Sequence, residues 1–401
     1  MIIRTINASI QPFGLVFLCA AIFVTSSSVA EDVTAALFTA PSEARLVDSN
    51  ATPETKALFL SLSTLSASGN VLFGHQEDLA YGVFWQDQPG RSDVKEVAGS
   101  YPAVYGWDVG GLELGHESNI DGVNFDSMRE WIKQGYRRGG VITISWHMYN
   151  LVTGGDFYDT TPAVSEIIPG GRLHDRYRFG LDRLADFMSS LKVVGAAWNP
   201  DEHLVPVIFR PFHEHNRSAF WWGKRYTTDA DYIKLWRFTV EYLRDVKQIH
   251  NLLYAFSPDH KGIRHPHAAT FTSDYLFRYP GDEYVDVFGL DNYEAFRTPS
   301  SWLADFQDAR GKLVALARAR GKLPAITETG QETVPDSKYW TGFLAPAVGG
   351  QNTVAWVLVW RNASETHFYA PYPGHPSVDD FRQFFARSNI LFESELPVLY
   401  R

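Results

Sequence analysis

The sequence predicts an α/β fold, a closed (β/α)8 barrel of the TIM type, from three observations. Eight short runs of β-branched and aromatic residues recur from about residue 70 onward, most are separated by segments of helical period, and the runs are apolar almost without interruption. Strands apolar on both faces belong to parallel sheets covered by helices, and eight such units over about 330 residues match the usual size of a barrel. An open doubly wound sheet would carry a Gly-rich phosphate turn after its first strand, and none is present.

In chain order, residues 1–30 read as an export signal: Arg4 supplies the positive end, Phe13 to Val24 an apolar stretch, and Ser28-Val29-Ala30 a small-residue cleavage site. The apolar stretch is shorter than the ~20 residues a spanning helix needs, so no integral membrane segment is expected, and the protein should be secreted. The single cysteine, Cys19, lies within this stretch, which leaves the exported chain without a disulfide. A lipid anchor on Cys19 is the rival reading; Leu18 stands where a small residue would normally precede a lipidated cysteine.

Residues 31–68 form a lead-in with one short helix around Pro53 to Ser66, and residues 69–401 form the barrel. Its strands are expected at Val71 to Gly74, Pro102 to Trp107, Val141 to Trp146, Leu204 to Phe209, Leu252 to Phe256, Val285 to Leu290, Pro324 to Thr327 and Val354 to Trp360. Helices are expected at Asp93 to Ala98, Asn124 to Arg138, Asp175 to Lys192, Asp229 to Ile249, Ser301 to Arg320, Ser337 to Ala345 and Val378 to Arg387, with none convincing after the fifth strand. With no linker, repeat or low-complexity stretch, a single barrel domain and a monomer are the economical readings.

The formal charge is −10, and loss of Arg4 with the signal makes the chain more acidic still. Such a surface repels phosphate backbones, and no basic run argues for nucleic acid. Aromatic residues make up 14% of the chain. Most belong in the core, but exposed rings stack on sugar faces, so a neutral carbohydrate partner fits.

In barrels of this type the working residues lie where the strands end at their carboxyl side. Here the strands end in His75, Asp108, His147, His213-Glu214-His215, Asp259-His260, Asp291-Asn292-Tyr293, Glu328 and Trp360-Arg361. Glu214 and Glu328 each close an apolar strand. Strict alternation puts Ile208, Arg210, Phe212 and Glu214 on one face, and Ile326 and Glu328 on one face, with His213 and His215 turned away from Glu214. Acetal hydrolysis needs one protonated and one ionised carboxyl, and no cofactor. The glutamate beside a cation would stay ionised and the more desolvated one would keep its proton. Arg210, in mid-strand, needs a carboxylate partner, for which Glu328 is the candidate. No metal is expected, because the helical HExxH spacing is absent.

At these residues the chain resembles glycoside hydrolase family 26, a clan A family best known for endo-β-1,4-mannanases. The resemblance runs through Phe73-Gly74-His75-Gln76, Tyr105-Gly106-Trp107-Asp108, Ser145-Trp146-His147, Arg210-Pro211-Phe212-His213-Glu214, Phe288 to Tyr293, Ile326 to Gly330 and Trp356 to Arg361. It implies a retaining β-mannanase acting on mannan, galactomannan or glucomannan, with Glu214 as acid/base and Glu328 as nucleophile. His213, His147 and Trp360 would contact the sugar at the −1 subsite, Tyr293 would donate to the nucleophile, and Trp221 and Trp222 would offer a +1 platform. Retention implies carboxyls about 5–5.5 Å apart. Trp107, Asp108, His75, Asp291 and Arg361 are further rim candidates; for the two aspartates the sequence leaves sugar binding and the orientation of neighbours both open.

Rival readings are a β-1,3-xylanase or mixed-linkage glucanase of the same family, and a non-catalytic sugar-binding barrel, which would lose a glutamate. An esterase would need a Gly-x-Ser-x-Gly turn, which the chain lacks. Endo or exo action depends on the loops 148–174 and 260–283.

Overall fold

The computed structural model describes residues 45–263, 270–293, 299–351 and 353–401, and the side chains of residues 299 and 300 are outside that description. Residues 1–30, read from the sequence as an export signal and containing Cys19, and the start of the lead-in lie outside the described residues, all of which fall within one compact unit, Phe38–Arg401.

Eight parallel strands close into a barrel: β1 Val71–Gln76, β2 Val104–Asp108, β3 Val141–Trp146, β4 Val207–Pro211, β5 Leu252–Phe256, β6 Val287–Asn292, β7 Leu323–Thr329 and β8 Trp356–Val359. They pair in sequence order, and β8 returns to β1 with Gly74 opposite Leu358 and His75 opposite Val359. Every barrel-strand residue is buried, as the apolar runs require. A further short strand, Ile390–Leu391, adds to the start of β1.

Around the barrel lie α1 Pro53–Ala67, α2 Asp93–Ala98, α3 Phe125–Arg137, α4 His174–Ser190, α5 Asp229–Glu241, α6 Pro299–Ala319 and α7 Val378–Phe385. Local chemistry starts several of them. Ser92, Asn124 and Thr228 each accept a backbone N–H of the first turn of α2, α3 and α5, meeting donors that a helix cannot satisfy internally. Most of the aromatic excess is core, as where Phe73 of β1 packs against Phe381, Phe384 and Phe392 at 4.8–5.7 Å.

Four boundaries differ from the sequence reading. Leu204 pairs with Lys192 in a separate hairpin, because Pro206, with no N–H to give, interrupts the run before β4. The helix expected to reach Ile249 stops at Glu241, where Tyr242–Val246 widens into a π turn. The helix expected over Ser337 to Ala345 is instead a π turn, Trp340–Leu344, followed by the short helix Ala345–Val348. A short helix, Phe271–Tyr275, does occupy the connection after β5.

Candidate active site

Glu214 follows β4 and Glu328 lies within the end of β7, and both line one open cleft of about 340 Å³ at the carboxyl face of the barrel. That is within the ~300–1,000 Å³ of ordinary small-molecule sites. His147, His213, Tyr293 and Trp360 line the same cleft.

Both glutamates reach it through departures from regular strand geometry. After β4 the backbone takes left-handed conformations at Phe212 (φ 47°) and Glu214 (φ 51°), unusual for residues with a side chain. Phe212 is therefore not on the face of Arg210. It packs outward among Trp146, Trp221, Trp222 and Trp236, while His213 turns into the cleft beside Glu214. His215 does turn away, between the rings of Tyr232 and Phe256. On β7 the register with β6 slips so that Leu290 faces Ile326 and Asp291 faces Glu328, leaving Thr327 as the extra residue of a bulge. Gly289 makes room for it: a Cβ there would lie 2.6 Å from Thr327 Cγ2 and 2.7 Å from Ser257 Cβ.

The two carboxyls sit in opposite settings. Burial raises Glu214 well above the ordinary carboxyl range, and Asp259, Asp291 and Glu328 push the same way, against a smaller pull from Arg217. Glu214 is only half-buried by the open cleft, so a substrate that displaced water would strengthen this effect. Glu328, by contrast, accepts a hydrogen bond from Arg210 and another from the Tyr293 hydroxyl at 2.9 Å. Burial opposes the charge on Arg210, but Asp291 and Glu328 outweigh it and raise its pKa, so this cation is permanent.

Asp291 is fully buried and accepts from Arg210 (2.9 Å), Thr327 (2.6 Å) and Ser257 (3.3 Å). Of the two roles the sequence left open, orientation of Arg210 is the one this geometry performs. The same holds for Asp108, which accepts from Ser145 (2.7 Å), the Gly110 N–H (2.7 Å) and Nδ1 of His147 (2.8 Å). Burial opposes ionisation of Asp108, but His147 and these donors outweigh it and hold the carboxyl below its ordinary value. His147 thus has its ring fixed from behind, and its Nε2 meets His213 Nε2 at 3.1 Å. Burial, then the charges of Arg210 and His147, depress His213 well below the usual histidine range, so it sits neutral beside the carboxylates.

His213, Asp291 and Glu328 bring potential ligand atoms within 4.8 Å of one another, a grouping that could hold a metal ion. Arg210 donates to both carboxylates, so the cation at this centre is the protein's own.

Several rim candidates do not face the cleft. Trp221 and Trp222 are fully buried; their indole N–H groups donate to the backbone oxygens of Met148 and His213, so they anchor the loop and offer no platform. Trp107 stacks on Trp131 of α3, in the helix layer. His75 is buried against Asp78 at 2.8 Å. Arg361 pairs with Asp121 at 2.8 Å and with the Tyr81 hydroxyl at 3.2 Å, next to the cleft wall. Trp360 is half-exposed in the cleft, its ring 6.2 Å from that of His147.

Other residues take the places those leave. Tyr158, 61% exposed, stacks on Phe220 at 5.7 Å and forms an aromatic wall. On the Glu328 side of the cleft, Glu332 and His367 pair at 2.7 Å, and Tyr369 lies 5.9 Å from Tyr293. A cue existed in the aromatic pairs Phe157-Tyr158 and Phe368-Tyr369, each in a segment of turn residues.

Comparison with known proteins follows the same lines. Residues 47–346 match the profile of Glycosyl hydrolase family 26. A mannan endo-1,4-beta-mannosidase of Bifidobacterium adolescentis is 33% identical over 374 residues, which is 88% of this chain and 36% of that protein; the chain thus spans about a third of that relative's length. A mannan endo-1,4-beta-mannosidase of Bacillus subtilis strain 168 is 29% identical over 79% of this chain and 82% of its own length. A solved GH26 beta-mannanase from Bacteroides ovatus superposes with a TM-score of 0.80 at 42% identity, over 87% of this chain and 98% of that one.

Proposed function

The chain belongs to glycosyl hydrolase family 26, and from that premise we propose that it is a retaining mannan endo-1,4-β-mannosidase with Glu328 as nucleophile and Glu214 as acid/base. The observation that carries the reading is the pairing of two glutamates across one open cleft in opposite electrostatic settings. The mannanase relatives supply the choice of polysaccharide.

In the first step the Glu328 carboxylate attacks the anomeric carbon while Glu214 gives its proton to the departing glycosidic oxygen. The raised pKa of Glu214 keeps that proton in place at a pH where an ordinary glutamate would have lost it. In the second step Glu214, now a carboxylate, takes a proton from water, whose oxygen attacks the anomeric carbon and releases Glu328. Arg210 and Tyr293 hold the nucleophile's oxygens in place through both steps, and His147, His213 and Trp360 surround the reacting sugar.

The export reading of residues 1–30, with the lead-in 31–68 and barrel 69–401 as the mature protein, belongs to the same proposal and rests on Arg4, Phe13 to Val24 and Ala30. Incubation with mannan, xylan and mixed-linkage glucan, with the products sized and their first-formed anomer read by NMR, tests the whole. The β-anomer of mannose-terminated oligosaccharides is expected; α-anomer first, or turnover of xylan or glucan in preference to mannan, would overturn it.

A further inference from the structure

After β1 the chain makes a short hairpin, Tyr81–Gly82 paired with Trp85–Gln86, at the carboxyl rim of the barrel. At its turn stands Phe84, 62% exposed. Isolated exposed apolar side chains are ordinary, and Phe179, 65% exposed on the outer surface of α4, is one. Phe84 differs from it in being built into place. The buried carboxylate of Asp93 accepts from the Val83 N–H at 3.0 Å and the Trp85 indole at 2.8 Å, on either side of Phe84.

Asp93 also accepts from the Asn362 side-chain amide at 2.9 Å, and Oδ1 of Asn362 accepts from the backbone N–H groups of Tyr369 (2.9 Å) and Ala370 (3.0 Å). Tyr369 lines the catalytic cleft, so one hydrogen-bonded network joins the Phe84 turn to the cleft wall. Gly82 is required in this arrangement, because a Cβ there would fall 2.2 Å from the Trp85 indole nitrogen and 2.5 Å from Asp93 Oδ2. The Phe84 ring meets Tyr372 edge-on at 5.3 Å, with ring area left open to solvent. A rigid, solvent-facing aromatic ring tied to a sugar cleft suits the apolar C–H face of a pyranose, and its fixed position removes most of the ordering cost of binding.

We propose that Phe84, backed by Tyr372, is a distal stacking point for a further sugar of the same neutral polysaccharide chain, outside the catalytic cleft; this rests on the polysaccharide-hydrolase reading above. The enzyme would then gain affinity with chain length at the length that first reaches Phe84.

The test measures kcat/KM on manno-oligosaccharides from three to six sugars, and Kd for the same series in the Glu328→Ala background, for the parent, Phe84→Ala, Phe84→Trp and Phe179→Ala. In Phe84→Ala the gain at the longer lengths should fall by about tenfold, with the shorter lengths much less affected. Phe84→Trp should retain the gain, and Phe179→Ala should match the parent throughout. Equal chain-length dependence in the parent and Phe84→Ala, or a loss of the same size at every length, would overturn the proposal. Failure of the parent to cleave any length would sink the mannanase reading instead; the Kd series then decides Phe84, whose proposal falls if Phe84→Ala binds every length as the Glu328→Ala parent does or if no length binds.

Discussion

The tips of β4 and β7 carry the same residue type and treat it in opposite ways. At β4, Glu214 sits among the carboxylates of Asp259, Asp291 and Glu328, and burial raises it well above its ordinary range. At β7, Glu328 is met by a permanent guanidinium and a tyrosine hydroxyl. In the proposed mechanism two equal side chains become an acid and a nucleophile through their neighbours, a division of labour known from other carboxylate pairs. The backbones differ too: two left-handed residues deliver Glu214, whereas a one-residue bulge delivers Glu328.

Removing either side of this contrast should break the activity unequally. Glu328→Ala is expected to lower kcat on mannan by about 10⁴-fold or more, read from reducing-sugar release, with the fold intact by circular dichroism because the buried Arg210 keeps Asp291 as its partner. Glu214→Gln should cost about 10²- to 10⁴-fold on mannan but far less on an aryl mannoside whose leaving group needs no proton. Equal losses on both substrates would contradict the acid role. Tyr293→Phe deletes the 2.9 Å donor to Glu328. A hydrogen bond to a charged group is worth ~1.5–3 kcal/mol, so kcat/KM should fall about 10- to 100-fold.

The smallest change sharpens the contrast through pH. In the proposed mechanism Glu214 must carry a proton in the first step, so activity is expected below its raised pKa and should be lost as the pH rises through it. Arg217 pulls that pKa down and is paired with Asp259 at 2.6 Å. Arg217→Gln removes the pull and frees the Asp259 charge, so both effects move the alkaline limb of kcat/KM to higher pH, by less than about one unit. A shift to lower pH would contradict the assignment.

Much of this contrast is legible in the amino-acid sequence alone. Near-continuous apolar runs mark all eight strands, polar residues at their ends mark Glu214, Glu328 and Tyr293, and the need of a mid-strand cation for a carboxylate marks Arg210. Alternation pointed both glutamates inward, yet it placed Phe212 and His213 on the wrong sides, because a rule of period two has no place for left-handed residues or a bulge. The platform tryptophans failed for another reason. An indole in a loop reads the same whether it stacks on sugar or anchors the loop, and here the N–H groups of Trp221 and Trp222 found backbone partners inside. Tyr158, Glu332 and His367 enter the cleft only through the folding of long connections, to which no local pattern refers.

The division of roles is tested most directly by trapping the covalent intermediate with a 2-deoxy-2-fluoro mannosyl fluoride and locating the sugar by peptide mass spectrometry. The label is expected on the peptide that contains Glu328, with Glu214 unmodified. A label on Glu214, or complete turnover without any trapped adduct, would contradict it.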